Sequence, residues 1–194
     1  MRILFYKPNP RNTGSAANFN YYNNTFSFGI VKQHSWSETA KTGSFTENRG
    51  APLYDVTVKL SNIEVAGIIN SLEKNVAFSG FHQSEKQTVQ FSFKPYLKEE
   101  NQIGFSLSVF KTIKETSEKA SFVIGFTFPE AILVREFLQT VLRESFFIND
   151  KQKKDTTIEN TQTEEKTTYP KRHLPKKGKE DIADPFAQSP VEIF

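Results

Sequence analysis

The sequence predicts an α+β fold made of two units, each a four-strand antiparallel sheet followed by a helix. Three observations carry that expectation. Alternating apolar and polar runs precede two separate helical patterns, so the order is strands then helix, twice. Phe26-Ser27-Phe28-Gly29-Ile30-Val31-Lys32 lines up with Phe105-Ser106-Leu107-Ser108-Val109-Phe110-Lys111, and further on Lys41-Thr42-Gly43-Ser44-Phe45 lines up with Lys119-Ala120-Ser121-Phe122. Each half then closes with a strand that feeds its helix. The repeats span about 1–74 and 75–148.

Taken in order, Val56-Thr57-Val58-Lys59-Leu60 alternates as a strand and runs into Ser61-Asn62-Ile63-Glu64. That tetrapeptide is a capping box, in which a Ser hydroxyl and a Glu carboxylate satisfy the orphan amides of a helix start. The helix is expected to reach about Lys74. Strands follow over Val76–Phe81, Thr88–Lys94, Ile103–Lys111 and Ala120–Phe128. Pro129 then stands at a natural first helical position with Glu130 complementing the dipole, and a second helix extends to about Phe147. Strand parity puts Phe26, Phe28 and Ile30 on one face, and likewise Phe91 with Phe93, Phe105 with Leu107 and Val109, and Phe122 with Ile124, Phe126 and Phe128. These sets read as core. On the second helix, Leu133, Val134, Phe137, Leu138 and Val141 belong to an apolar arc of about 220° at about 100° per residue. A helix facing only its own core needs about 100°. The surplus predicts subunit association through this helix.

Composition changes near Asn149. Phenylalanine, 19 of 194 residues, is almost confined to 1–148, whereas 149–194 holds only Phe186 and Phe194 among Lys, Thr, Glu, Gln and Pro. Such a segment cannot bury enough apolar surface to offset its chain entropy and is predicted to be a disordered tail. Its charges are sorted. Within 166–179 stand Lys166, Lys171, Arg172, Lys176, Lys177 and Lys179 with no acid, and 180–194 carries Glu180, Asp181, Asp184 and Glu192 with no base, ending on Ile193-Phe194. The whole-chain balance of 25 basic and 22 acidic residues, +3, conceals this sorting. The first 37 residues hold Arg2, Lys7, Arg11 and Lys32 and no acid.

The absence of cysteine excludes a disulfide scaffold, thiolate metal sites and a cysteine nucleophile. No apolar run approaches membrane-spanning length, and Ile3-Leu4-Phe5-Tyr6 is too short for a signal-peptide core. The expected setting is cytoplasmic and not secreted. Thr13-Gly14-Ser15 lacks the spacing of a phosphate loop, His34, His82 and His173 are isolated, and Glu99-Glu100 sits in a polar turn. No cofactor, metal or catalytic activity is expected. What remains is a sheet protein with spare aromatics and a basic fringe, the chemistry that holds unstacked bases and a phosphate backbone. The candidate nucleic-acid contacts are the aromatics Tyr21, Tyr22, Trp36, Phe45, Phe81, Tyr96 and Phe110 with the bases Lys7, Arg11, Lys32, Lys41, Arg49, Lys94, Lys111 and Lys119.

Leu60-Ser61-Asn62-Ile63-Glu64-Val65-Ala66-Gly67-Ile68-Ile69 resembles the first-helix segment of Whirly proteins, as does Phe91-Ser92-Phe93-Lys94-Pro95 followed by a polar turn and Gly104-Phe105-Ser106-Leu107-Ser108-Val109. The resemblance covers about 54–147. It implies two outward-facing sheets, helices at the centre of a tetramer, and single-stranded DNA along the sheets; RNA binding and transcriptional modulation occur on the same fold. The plant family's lysine-rich stretch has no counterpart at Gly14-Ser15-Ala16-Ala17. The tail segment Asp181-Ile182-Ala183-Asp184-Pro185-Phe186, with the closing Glu192-Ile193-Phe194, is similar to the acidic tips of bacterial and phage single-stranded-DNA-binding proteins. That likeness implies docking on replication and repair partners and competition with DNA. The expectation is therefore a sequence-tolerant single-stranded-DNA-binding protein of replication, recombination or repair, from a phage or bacterium. The rivals are an RNA-binding or transcription-modulating protein and, from another class, an oligomeric interaction adaptor.

Overall fold

The computed structural model describes residues 1–163, with side chains through Phe147. Three antiparallel strands, β1 (Arg2–Lys7), β2 (Ser15–Tyr22) and β3 (Thr25–Lys32), are followed by a short ribbon of β4 (Ser35–Ser37) and β5 (Thr42–Ser44), then by β6 (Asp55–Leu60) and α1 (Asn62–Lys74). The second half has β7 (Phe78–Gln83), β8 (Gln87–Lys98), β9 (Asn101–Ile113), β10 (Lys119–Phe126) and α2 (Phe128–Thr163). The sheets run β1-β2-β3-β6 and β7-β8-β9-β10, two four-strand meanders each continued by a helix. The α+β expectation with its duplicated unit is met. β3 and β9 hold the same place in their sheets, as the alignment of 26–32 with 105–111 requires. The second alignment is corrected. Thr42–Ser44 lies in the ribbon, and the strand equivalent to β10 is β6. The likeness of the two short Lys-to-Phe stretches is coincidental, because residues 33–54 are an insertion that the second half replaces with the turn 114–118.

Parity places the phenylalanines as expected. The inner faces of the two sheets pack on each other: Phe28 meets Phe91 edge-on at 5.4 Å, Phe5 meets Phe126 at 5.0 Å, and Phe19 meets Phe126 at 6.1 Å. Val65 and Ile68 of α1 and Ala131, Val134, Leu138 and Val141 of α2 complete the same core. Gly104 is required where β9 approaches β10: its φ is +153°, and a Cβ would collide with the Phe126 carbonyl.

Both helix starts place a glutamate three residues after the capping position. Ser61 and Glu64 form the expected capping box, with the Ser61 amide donating to Glu64 Oε2 at 2.9 Å. At α2 the Thr127 amide and hydroxyl both donate to Glu130 Oε2, at 2.7 and 2.9 Å, so Thr127-Phe128-Pro129-Glu130 keeps the glutamate half of a capping box. Each glutamate also reaches the other repeat. Glu64 Oε1 lies 2.8 Å from His82 Nε2 on β7, and Glu130 Oε2 accepts from Lys7 Nζ on β1 at 2.5 Å.

The helix α2 continues through Thr163, past the composition change near 149; no Gly or Pro stands between Pro129 and Pro170 to stop it. Residues Met1–Asp155 form one compact unit, and the second unit, Thr156–Phe194, is described only for the end of that helix. The basic block Lys166–Lys179 and the tip residues Asp181, Asp184, Phe186, Glu192, Ile193 and Phe194 lie outside the described residues, as does the expected disorder of that stretch. Among the described residues no helix is long and apolar enough to cross a membrane.

Candidate nucleic-acid interface

With the inner faces of both sheets buried, the outer faces are what the fold offers a partner. Register defines them. On the second sheet, Phe81 of β7 stands beside Gln90 of β8, Gln90 beside Phe110 of β9, and Phe110 beside Ser121 of β10. On one side of this row lie Ser79, Ser92, Ser108 and Val123, followed by Lys94, Ser106 and Gly125; on the other lie Gln83, Thr88, Thr112 and Lys119. Tyr96 faces Gly104 further along β8. No Asp or Glu occupies these outward strand positions. Phe81 is 62 % and Phe110 59 % exposed, and neither ring packs against another aromatic among the described residues. The face therefore combines unpartnered rings, hydroxyl groups that donate and accept, and the exposed cations Lys94 and Lys119.

The equivalent row on the first sheet is Tyr6, Ala16, Val31 and Asp55. Its chemistry differs at every place. Tyr6 packs against Phe45 with ring centroids 5.0 Å apart, and its hydroxyl donates to the Gly43 carbonyl. Ala16 is buried and Val31 half-buried. The insertion 33–54, which supplies Gly43 and Phe45, thus folds over this end of the sheet. Gln33 anchors it: its Oε1 accepts from the Asn9 amide at 2.8 Å, and its Nε2 donates to the Asn9 and Ser35 carbonyls, both at 2.9 Å.

The residues nominated from sequence divide accordingly. Phe81, Lys94, Tyr96, Phe110 and Lys119 come together on the outer face of the second sheet. Tyr22 is exposed at the end of β2, and Arg11 and Arg49 are exposed in the β1–β2 turn and the insertion. Lys41 is exposed and paired with Glu38 at 2.8 Å. Trp36 is half-buried on the ribbon, its indole N–H buried without an acceptor among the described residues. Five nominations are corrected. Tyr21 is in the core, 4.7 Å from Phe26, and its hydroxyl donates to Asn24 Oδ1. Phe45 is buried against Tyr6. Lys7 is committed to Glu130. Lys32 lies over the Phe122 ring at 4.8 Å and the Tyr54 ring at 5.7 Å, and burial lowers its pKa. Lys111 is buried and donates to the Asp55 carbonyl at 3.3 Å; burial lowers its pKa, against the opposing pull of Asp55. The physical reason is shared: Tyr21, Lys7, Lys32 and Lys111 have the inward parity of their strands.

The helix face divides too. Val134, Leu138 and Val141 are buried within the chain's own core, which corrects their assignment to an oligomer seam. Leu133 is exposed and Phe137 half-buried, and Phe128, Ile132, Phe146 and Phe147 are exposed as well. Sequence reasoning passed over Gln90, whose alternation with Val89 and Phe91 marked it as outward.

No protein-family model matches the chain, and no curated protein matches it. The similarity lies in solved structures. WHY1 from Arabidopsis thaliana superposes with a TM-score of 0.56 at 12% identity, over 88% of this chain and 97% of that one. The plant transcriptional regulator PBF-2 gives 0.55 at 12% identity, over 78% and 85%. A guide-RNA-binding protein complex bound to a gRNA gives 0.50 at 14% identity, over 74% and 88%. The chain carries a Whirly-like fold.

Proposed function

We propose that this chain is a non-enzymatic, sequence-tolerant single-stranded-DNA-binding protein that serves replication, recombination or repair in a phage or bacterial cytoplasm. The observation that carries the reading is the acid-free outer face of the second sheet, where Phe81, Phe110 and Tyr96 stand among hydroxyls with Lys94 and Lys119 on either side. Aromatic platforms hold bases at about 1–3 kcal/mol each and lysines hold phosphates. The similarity to a guide-RNA-bound complex supports a second reading, in which the strand is RNA.

Labelled oligo-dT at rising salt tests the proposal. Binding that weakens with a log–log slope of about −0.7 per phosphate contact is expected. No binding at low salt overturns it and favours the adaptor. Competition by single-stranded RNA and duplex DNA decides the strand type. The tip is a competitor for the basic surface and a docking segment for partner proteins, so deletion of 180–194 tightens DNA binding; unchanged or weaker affinity counts against that role. The protein self-associates through the exposed apolar residues of α2, as a tetramer by analogy with the fold. Leu133→Asp then yields smaller particles by light scattering, and a monomeric wild type removes the premise.

A further inference from the structure

We infer that Phe81 and Phe110 are the two walls of a base slot floored by Gln90, and that the first sheet has no equivalent. The inference rests on the nucleic-acid reading above and goes beyond it to a site and a side of the molecule.

The geometry follows from register. Phe81, Gln90 and Phe110 are consecutive neighbours across three strands, so the two phenylalanines are separated by two strand spacings, about 9.5 Å. All three are exposed and share the outward face. Stacked bases repeat about every 3.4 Å, so rings at that separation accommodate two bases stacked in sequence between them. A terminal amide at the floor presents one acceptor oxygen and an N–H donor. In a single strand the Watson–Crick edges are free, and every base offers there an adjacent donor and acceptor, so the amide can pair with any of the four. Lys94, four residues from Gln90 along β8, and Lys119, two residues from Ser121 along β10, stand on opposite sides of the row, where they are open to phosphates of a bound strand.

The same row in the first repeat fails at each part. The second wall is Val31 instead of Phe110, the floor is the buried Ala16 instead of Gln90, and the remaining ring, Tyr6, is engaged by Phe45 and Gly43 of the insertion. Each copy of the chain accordingly holds bases on one of its two sheets, and a bound strand follows second sheets only.

The experiment is fluorescence anisotropy at fixed salt with repeating AC and TC oligonucleotides of equal length, on the full chain. Phe81→Ala and Phe110→Ala are each expected to weaken binding roughly 5- to 150-fold, the range of one lost base stack. Phe110→Leu, which keeps the apolar volume without the ring, loses affinity as well. Val31→Ala on the first sheet leaves it unchanged. Gln90→Ala weakens binding to both repeats alike. Thermal unfolding monitors the fold of each variant, and the exposure of all three positions leaves it intact. If wild type binds neither oligonucleotide, the nucleic-acid reading falls and the slot with it. If wild type binds but Phe81→Ala and Phe110→Leu bind equally well, or Val31→Ala loses as much, the slot is overturned while the reading stands.

Discussion

In the first repeat residues 33–54 connect the third strand to the fourth, and in the second repeat residues 114–118 do the same work. Around that difference the inner faces have stayed alike. Phe26, Ile30 and Lys32 of β3 correspond to Phe105, Val109 and Lys111 of β9, and both lysines end half-buried or buried with pKa values lowered by burial. The outer faces have not stayed alike: Tyr6, Ala16 and Val31 correspond to Phe81, Gln90 and Phe110. Each inner face is packed against the other, and a change on one strains its counterpart. An outer face has only water or a partner to satisfy, so one copy could be roofed by an insertion while the other stayed open.

Mutations can break that comparison, beginning with the core. Phe28→Ala and Phe91→Ala, from touching rings on opposite sheets, should each cost about 3–5 kcal/mol in urea unfolding, and the double variant should cost less than the sum. A large inequality between the singles would show that the two inner faces do not share the load evenly. The helix starts come next. Ser61→Ala removes the acceptor of the Glu64 amide and is expected to lower stability by about 1 kcal/mol, whereas Thr127→Ala removes only a hydroxyl that donates to Glu130 and should cost less in the same urea unfolding.

Titration supplies the smallest and finest contrasts. Glu130 is penalised by burial, but the Lys7 ammonium and the Thr127 amide and hydroxyl outweigh that and hold its carboxyl below the usual value of 4.5. A folded carboxyl with a lowered pKa contributes stability above the unfolded value and loses it as pH falls through the folded one. Wild type should therefore lose more stability than Glu130→Gln on acidification from about pH 6 to pH 3, measured by thermal unfolding. For Lys32 and Lys111 the sign reverses. A lysine whose folded pKa lies below 10.5 is held charged at a cost, and the cost is relieved as pH rises toward the unfolded value. Lys32→Met and Lys111→Met should flatten the same alkaline rise in stability. Tyr21, raised by burial and then by Glu144, opposes that rise once unfolded tyrosines ionise near pH 10, so the comparison belongs below it.

Much of the architecture was readable from parity and capping alone. Phe26-Ser27-Phe28-Gly29-Ile30 can bury only one face, and Ser61-x-x-Glu64 can start only one kind of element. The same parity, carried one step further, puts Lys32 and Lys111 in phase with the core, yet a lysine at a strand end reads as surface when its polarity is weighed ahead of its phase. Thr127-x-x-Glu130 was equally visible but was masked by the helix-starting proline inside it. The split between the sheets was not readable. Nothing in the composition of 33–54 says that Phe45 folds back onto Tyr6, because that contact depends on Gln33 tying the insertion to Asn9 across sequence-distant loops. On α2 the periodicity gave the apolar arc correctly; which part of it faces the chain's own sheets depends on where those sheets lie.

The glutamates at the two helix starts carry a consequence for how the halves arose and persist. Glu64 of the first half grips His82 of the second, and Glu130 of the second grips Lys7 of the first. A contact in which one copy touches another at the point where it is touched in return is the signature of a two-fold symmetric dimer. Each half is thus the subunit that the other would otherwise recruit from solution, joined by a tether at Asn75-Val76-Ala77. Severed there, the fragments should reassemble as a heterodimer, with neither folding alone.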